Sequence, residues 1–192
     1  MDRAALLRRG GALALGATAL RFAAPAAAAT VPDEDLAYAR LLIGVELLAV
    51  DFQNQALASR KLDTRTARVV EALLAQEKAH LAGLSSLVSD AGQVPATADD
   101  IDFTYPKGTF GSEAKVAALA AVIESLSLGA YLGAVENVET PEWRLPLGQI
   151  AASEAQHVGA LAAAAGKPVL GHAFAPSLQI DAVSAALDRY ES

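Results

Sequence analysis

The sequence predicts an all-α fold: an antiparallel four-helix bundle with a long crossover between helices two and three, plus a short C-terminal helix. Three observations carry this reading. First, two stretches share one pattern: Glu46 is followed by Glu77-Lys78-Ala79-His80, and Glu124, at nearly the same spacing, by Glu154-Ala155-Gln156-His157. Each lone Glu and each Glu-x-x-His stands on an apolar stripe of helical period. Second, the links between the four predicted helices are short, long and short. Third, the 192 residues are 53% hydrophobic with only 5% aromatics. That Ala-rich composition favours helix, and the length suits one domain.

Helix one is predicted from about Asp35 to Arg60, with Asp33 as N-cap and Glu34 and Asp35 in its first turn. Ala39, Leu42, Ile43, Ala49 and Val50 share a face with Glu46. Helix two is predicted from about Thr64 to Ala91, capped by Asp63 and closed by Gly92. Its stripe of Val70, Leu73, Leu74, Leu81 and Leu84 surrounds Glu77. Helix three is predicted from Glu113 to Asn137 with Ser112 as cap. Glu124 sits there among Ala117, Ala120, Ala121 and Leu128, with Tyr131 two turns on. Helix four takes Thr140 as cap and Pro141 at its first position. Pro146 is expected to kink it or delay its regular part. Leu147, Ile150, Ala151, Val158 and Leu161 flank Glu154, and the helix ends near Gly166-Lys167-Pro168.

The first and last links are a few residues long, so each pair is an antiparallel hairpin. The middle link, Gly92 to Gly111, contains Pro95 and Pro106. A helix of about 25 residues is about 38 Å long, and a connection of about 20 residues reaches up to about 66–72 Å. It can run the length of the bundle and set helix three parallel to helix two. After Pro176, Ile180, Val183, Leu187 and Tyr190 fall on one face of a short fifth helix. That face packs on the bundle or on a neighbouring subunit, so a homo-oligomer is compatible with the sequence. His172, the one histidine outside the paired motifs, reads as a surface loop residue.

Residues 1–29 differ in character. Arg3, Arg8 and Arg9 precede a Gly/Ala-rich apolar stretch, and Ala26 to Ala29 offer small-residue cleavage sites, the pattern of a signal peptide. The adjacent Arg8-Arg9 points to twin-arginine export, although Gly11 stands where such signals usually carry a large apolar residue. The domain plan is then 1–29 signal peptide, 30–166 bundle and 167–192 C-terminal extension, with an exported, periplasmic or extracellular product. The net charge of −7 becomes −10 without the leader, with 11 basic against 21 acidic side chains. That balance argues against nucleic acid as a partner and is compatible with attracting metal cations. With no cysteine, disulfides and thiolate metal sites are excluded. No uninterrupted apolar run beyond the leader is long enough to span a membrane, so stable membrane insertion is not expected after cleavage.

The chemistry follows from the carboxylates. A Glu is almost never fully buried unless paired, and an isolated buried carboxylate costs roughly several kcal/mol. Four on core faces repel one another unless they hold protons or cations. Two divalent ions would balance four carboxylates. A single Glu-x-x-His is usually part of a solvated face; two copies, each with an upstream Glu on an apolar stripe, are not explained that way. Four carboxylates and two imidazoles projecting from four helices form the ligand set of a dinuclear iron or manganese site. The N/O donors suit those metals better than copper or structural zinc.

These residues resemble the ferritin-like superfamily, and in particular the exported ferritin-like domain proteins that include desiccation-related proteins of bacteria and plants. The resemblance is carried, in order, by Glu46-Leu47-Leu48-Ala49-Val50-Asp51-Phe52, Glu77-x-x-His80, Ile123-Glu124-Ser125 with Gly129-Ala130-Tyr131-Leu132-Gly133, and Ala152-Ser153-Glu154-x-x-His157. It covers residues 34 to 165. It implies two Fe or Mn ions held by Glu46, Glu77, His80, Glu124, Glu154 and His157, with Glu77 and Glu154 bridging and Glu46 and Glu124 terminal. It also implies O2 or peroxide as reactant, in Fe(II) oxidation or peroxide removal, with Tyr131 as an electron or hydrogen-bond donor. Bacterioferritins, rubrerythrins and manganese catalases share the paired pattern. Bacterioferritins add a haem-binding Met; the only Met here is Met1, so no haem is expected. Two other readings stay open: a structural, stress-protective envelope protein in which metal only stabilises or is absent, and mineral storage, which needs a closed shell.

Overall fold

A computed structural model describes residues 30–191; the signal peptide expected over 1–29 lies outside the described residues. The helices are α1 (Asp33–Ala58), α2 (Thr64–Asp90), α3 (Glu113–Asn137), α4 (Pro141–Ala164) and α5 (Ile180–Leu187), with one 3-10 turn at Thr109–Gly111. The described residues contain no strand, only an isolated bridge between Phe103 and Glu191. This is the all-α bundle with a short C-terminal helix that the sequence predicts.

The helix ends follow from local chemistry. Asp63 caps α2 by accepting from the Thr66 N–H, and Ser112 caps α3 by accepting from the Lys115 N–H. α2 and α4 stop in the same way. Gly92 and Gly166 take left-handed φ values of 75° and 66°. The next residue's N–H returns to the helix: Gln93 to the Val88 carbonyl, Lys167 to the Ala162 carbonyl. Only glycine takes that conformation cheaply.

Three local expectations change. α1 begins at Asp33 behind Pro32 with no side-chain cap, and it ends at Ala58 because Arg60 turns left-handed, φ 55°. Thr140 makes no side-chain cap. Instead, buried Asp35 of α1 accepts from the Glu139 and Thr140 N–H groups at 2.9 and 2.7 Å, so α1 caps α4 across the bundle. α4 runs unbroken through Pro146, so its regular part is not delayed. Pro146 lies near the N-terminus, where its missing N–H costs one bond to the carbonyl of exposed Glu142.

Topology is fixed by polar ties between helix starts. Glu113, at the start of α3, accepts from the Asp63 N–H at 2.7 Å and from the Thr66 hydroxyl at 2.8 Å. α2 and α3 therefore begin at the same end and run parallel, as the long crossover requires. The crossover is pinned to α1: the Tyr105 hydroxyl donates to Asp51 at 2.7 Å, and the Phe52 ring packs at 5.5 Å from Tyr105 and 5.4 Å from Phe110. α1 is buried on almost every side because α2, α3 and α5 all pack on it. α3 is long and apolar enough to cross a membrane by length and composition; here it lies against α1, α4 and α5, and its apolar surface serves the core.

The segment leading into α5 crosses α3 at two glycines one turn apart. The Leu178 N–H donates to the Gly129 carbonyl at 2.8 Å. A Cβ on Gly133 would lie 1.8 Å from the Leu178 carbonyl oxygen. Gly-to-Ala inside a helix ordinarily gains about 1 kcal/mol. Here the close approach reverses the sign. Gly133→Ala is expected to lose about 1–3 kcal/mol through overpacking and to loosen the C-terminal segment. Thermal melting with limited proteolysis of residues 170–180 checks this; a raised melting temperature with no new cleavage would show that the segment does not sit on α3.

Candidate metal centre

The bundle brings together all six residues of the duplicated pattern. Glu46 comes from α1, Glu77 and His80 from α2, Glu124 from α3, and Glu154 and His157 from α4. Glu46, Glu77 and Glu154 are 0% exposed, Glu124 1% and His157 2%; only His80 reaches solvent, with 12% of its side chain exposed. The Nδ1 of His80 lies 3.2 Å from Glu77 Oε2, 3.0 Å from Glu154 Oε1 and 3.7 Å from Glu46 Oε1. The Nδ1 of His157 lies 2.9 Å from Glu77 Oε1, 3.2 Å from Glu124 Oε2 and 3.5 Å from Glu154 Oε2. Glu77 and Glu154 thus each divide their two oxygens between the two histidines, while Glu46 lies beside His80 and Glu124 beside His157. Two overlapping four-residue groups result, Glu46, Glu77, His80, Glu154 and Glu77, Glu124, Glu154, His157, each with geometry that could hold a metal ion.

A second layer repeats the two-fold pattern. Tyr131, seven residues after Glu124, is fully buried and donates its hydroxyl to Glu46 on the opposite lone-Glu helix. Gln53, seven residues after Glu46, donates from Nε2 to Glu124 Oε1 at 2.9 Å. Each lone-Glu helix supplies the partner for the other's carboxylate. Gln53 was not among the sequence-predicted site residues; the signal that finds it is its offset, equal to that of Tyr131. The residues just before the two motif glutamates meet as well. Gln76 Oε1 lies 3.0 Å from His157 Nε2, and the Ser153 hydroxyl donates to the same oxygen at 2.9 Å. Such a bond on Nε2 leaves Nδ1 directed at the carboxylates. His172 is exposed in the loop after α4 and belongs to neither group.

The family model of the ferritin-like domain matches residues 34–167, most of the chain. The chain belongs to the ferritin-like family. No curated protein matches it.

In this ferritin-like chain the donor set fits metal on two counts. All six groups are oxygen or imidazole donors. Three buried carboxylate oxygens, Glu46 Oε2 and both of Glu154, accept no hydrogen bond; Glu154 Oε1 is close to His80 Nδ1 but out of line for one. Unmet buried acceptors are costly, and cations would satisfy them. Without metal, protons serve instead. Burial, with the charges of Glu77 and Glu154, pushes the Glu46 carboxyl well above its ordinary range. Burial raises Glu124 to about 8 despite its hydrogen bond to His157. For Glu77, burial acts upward, but hydrogen bonds with His157 and His80 outweigh it and hold it at about 2. Burial would lower both histidines, yet the carboxylates around them win: Glu154 and Glu77 raise His80 to about 9, and Glu124, Glu154 and Glu77 raise His157 to about 12.

These shifts set the pH dependence of the metal-free protein. A raised folded pKa stabilises while the proton is bound. The histidine contributions are complete below about 6.5 and are lost as pH rises through about 9 and about 12. That of Glu124 is complete below about 4.5 and is lost through about 8. Glu77 acts in the opposite sense, but only below about 4.5. Melting temperature of the metal-free protein should therefore fall from about pH 5 to 9. Metal binds the deprotonated ligands, so the difference between metal-loaded and metal-free protein should widen with pH. Paired melting curves test this; a difference that stays flat or narrows would mean that the glutamates and histidines are not one coupled cluster.

Proposed function

We propose that the chain is an exported ferritin-like protein whose six clustered residues hold two iron or manganese ions, and that it oxidises Fe(II) or reacts with O2 or peroxide. The observation that carries this reading is the division of the Glu77 and Glu154 oxygens between the two histidines. Two ions bound there would share these carboxylates, with Glu46 and His80 completing one set and Glu124 and His157 the other. When bound, such a pair of ions supplies electrons in pairs and a place for O2 or peroxide. The chain's own groups set the conditions. Tyr131 is kept protonated by burial and by the charge of Glu46, so its hydroxyl stays a donor to that carboxylate. Gln53 holds Glu124, and Gln76 with Ser153 holds the His157 ring. Export rests on Arg8-Arg9 and the Ala-rich stretch after them. The depth of burial favours a second reading, in which metal only stabilises a protective protein; turnover separates the two.

Elemental analysis after mild loading is expected to find about two ions per chain. Glu77→Ala and Glu154→Ala should lose the metal together with Fe(II) oxidation or peroxide consumption, whereas His172→Ala keeps both. Less than about half an ion per chain of iron and manganese combined would refute metal binding. Full loading with neither activity would establish the stabilising role.

A further inference from the structure

A groove of about 640 Å³ lies between α2 and α4; it adjoins the metal centre at Gln76 and His157, and the stretch from Arg65 to Leu73 takes no part in that centre. Its outer end carries Arg65 and Arg68, spaced i, i+3 so that both guanidiniums share one face. Both are exposed. Arg68 makes no ion pair or hydrogen bond among the described residues, and Arg65 has only the charge of Asp63 beside it. The middle is apolar: Val69, Ala72 and Leu73 from α2 face Ala160 from α4. The far end is polar, lined by exposed Gln76 and Gln156 and by the buried His157 ring. From Arg65 to Gln76 the groove runs about 16 Å along α2. The groove is open along its length, with Ala72, Gln76 and Gln156 of its lining exposed, and Leu73 and His157 form its buried floor.

The geometry points to a binding site for an amphiphilic monoanion, a medium-chain carboxylate, with its head on Arg65 and Arg68 and its chain along the apolar slot toward His157. Charge complementarity selects this occupant. In a chain of net charge −7, two guanidiniums stand at one end of an apolar slot, and guanidinium forks match carboxylate oxygens. With Asp63 offsetting part of Arg65, the mouth suits one negative charge better than the two of a phosphate ester. The slot's apolar walls cover an alkyl chain and remove part of it from water. This site is independent of whether the adjoining cluster holds metal.

Calorimetric titration of the full chain with decanoate, after chelation, tests the site. The expected result is saturable one-site binding, weakened at least tenfold in Arg65→Glu/Arg68→Glu and abolished by Ala72→Trp, which fills the slot. Melting temperature of the double Arg variant, altered only at exposed positions, should be unchanged. Decanol should bind at least tenfold more weakly than decanoate, and acetate not measurably. Binding of decanoate that ignores both variants, or an equal affinity for decanol, overturns the site. A tenfold preference for decyl phosphate overturns the carboxylate assignment. A wild-type dimer that Ala72→Trp converts to monomer overturns the small-molecule reading and makes the groove a contact between copies.

Discussion

Four carboxylates gathered around two imidazoles in the buried core of a bundle are the constraint on which the rest of the structure depends. Each buried carboxylate costs several kcal/mol, roughly, unless positive charge or hydrogen bonds compensate. The fold supplies part of that compensation in protein groups: the Tyr131 hydroxyl on Glu46, the Gln53 amide on Glu124, and two histidines whose pKa values are driven upward by the acids they touch. It leaves Glu46 Oε2 and both oxygens of Glu154 without an aligned hydrogen bond. A core selected for stability alone would put Leu or Ala at these positions. The retained cost argues that the cluster exists to hold something positively charged.

Keeping such a core together places demands on the periphery. α1 carries Glu46 and Gln53 and is covered by α2, α3 and α5. Its buried Asp35 also caps the start of α4, so the helix that anchors one carboxylate positions the helix that bears Glu154 and His157. Glu113 ties the starts of α2 and α3, which fixes the vertical register of Glu77 against Glu124. The crossover and the C-terminal segment meet where Thr104 donates to the Tyr190 carbonyl. These links let helices rich in Ala and Gly, with few large side chains to interlock, hold a defined register.

Much of this was legible in the sequence because periodicity and capping are local. The cap residues Asp63 and Ser112, the stop signals Gly92 and Gly166, and the apolar stripes around the four glutamates are each readable within a few turns of helix. The parallel relation of α2 and α3 followed from link length alone. Less was legible where distant segments meet. Thr140 looks like a cap, but its side chain makes no cap bond, and the start of α4 is held instead by Asp35, about a hundred residues away in the chain, through the Glu139 and Thr140 N–H groups. Arg60 ends α1 in a conformation that no local preference of arginine announces. Gly129 and Gly133 were visible as a pair, yet their reason, the Leu178 backbone lying against them, needs the tertiary fold.

Gln53 shows how far internal symmetry carries an argument. The duplicated pattern predicts that whatever stands seven residues after one lone Glu has a counterpart seven after the other. Tyr131 and Gln53 occupy those positions, and both donate across to the opposite lone carboxylate. The symmetry is chemical in placement but not in kind: a phenol on one side, an amide on the other. It breaks again at the histidines. His157 is buried and its Nε2 is held by Gln76 and Ser153, while His80 is partly open to solvent and has no such partner among the described residues. Two halves that share ligands therefore differ in hydrogen bonding, exposure and the proton affinity of their histidines, raised to about 12 on the closed side and about 9 on the open one. The carboxylates Glu77 and Glu154 belong to both four-residue groups, and so they are the residues whose loss breaks both halves at once.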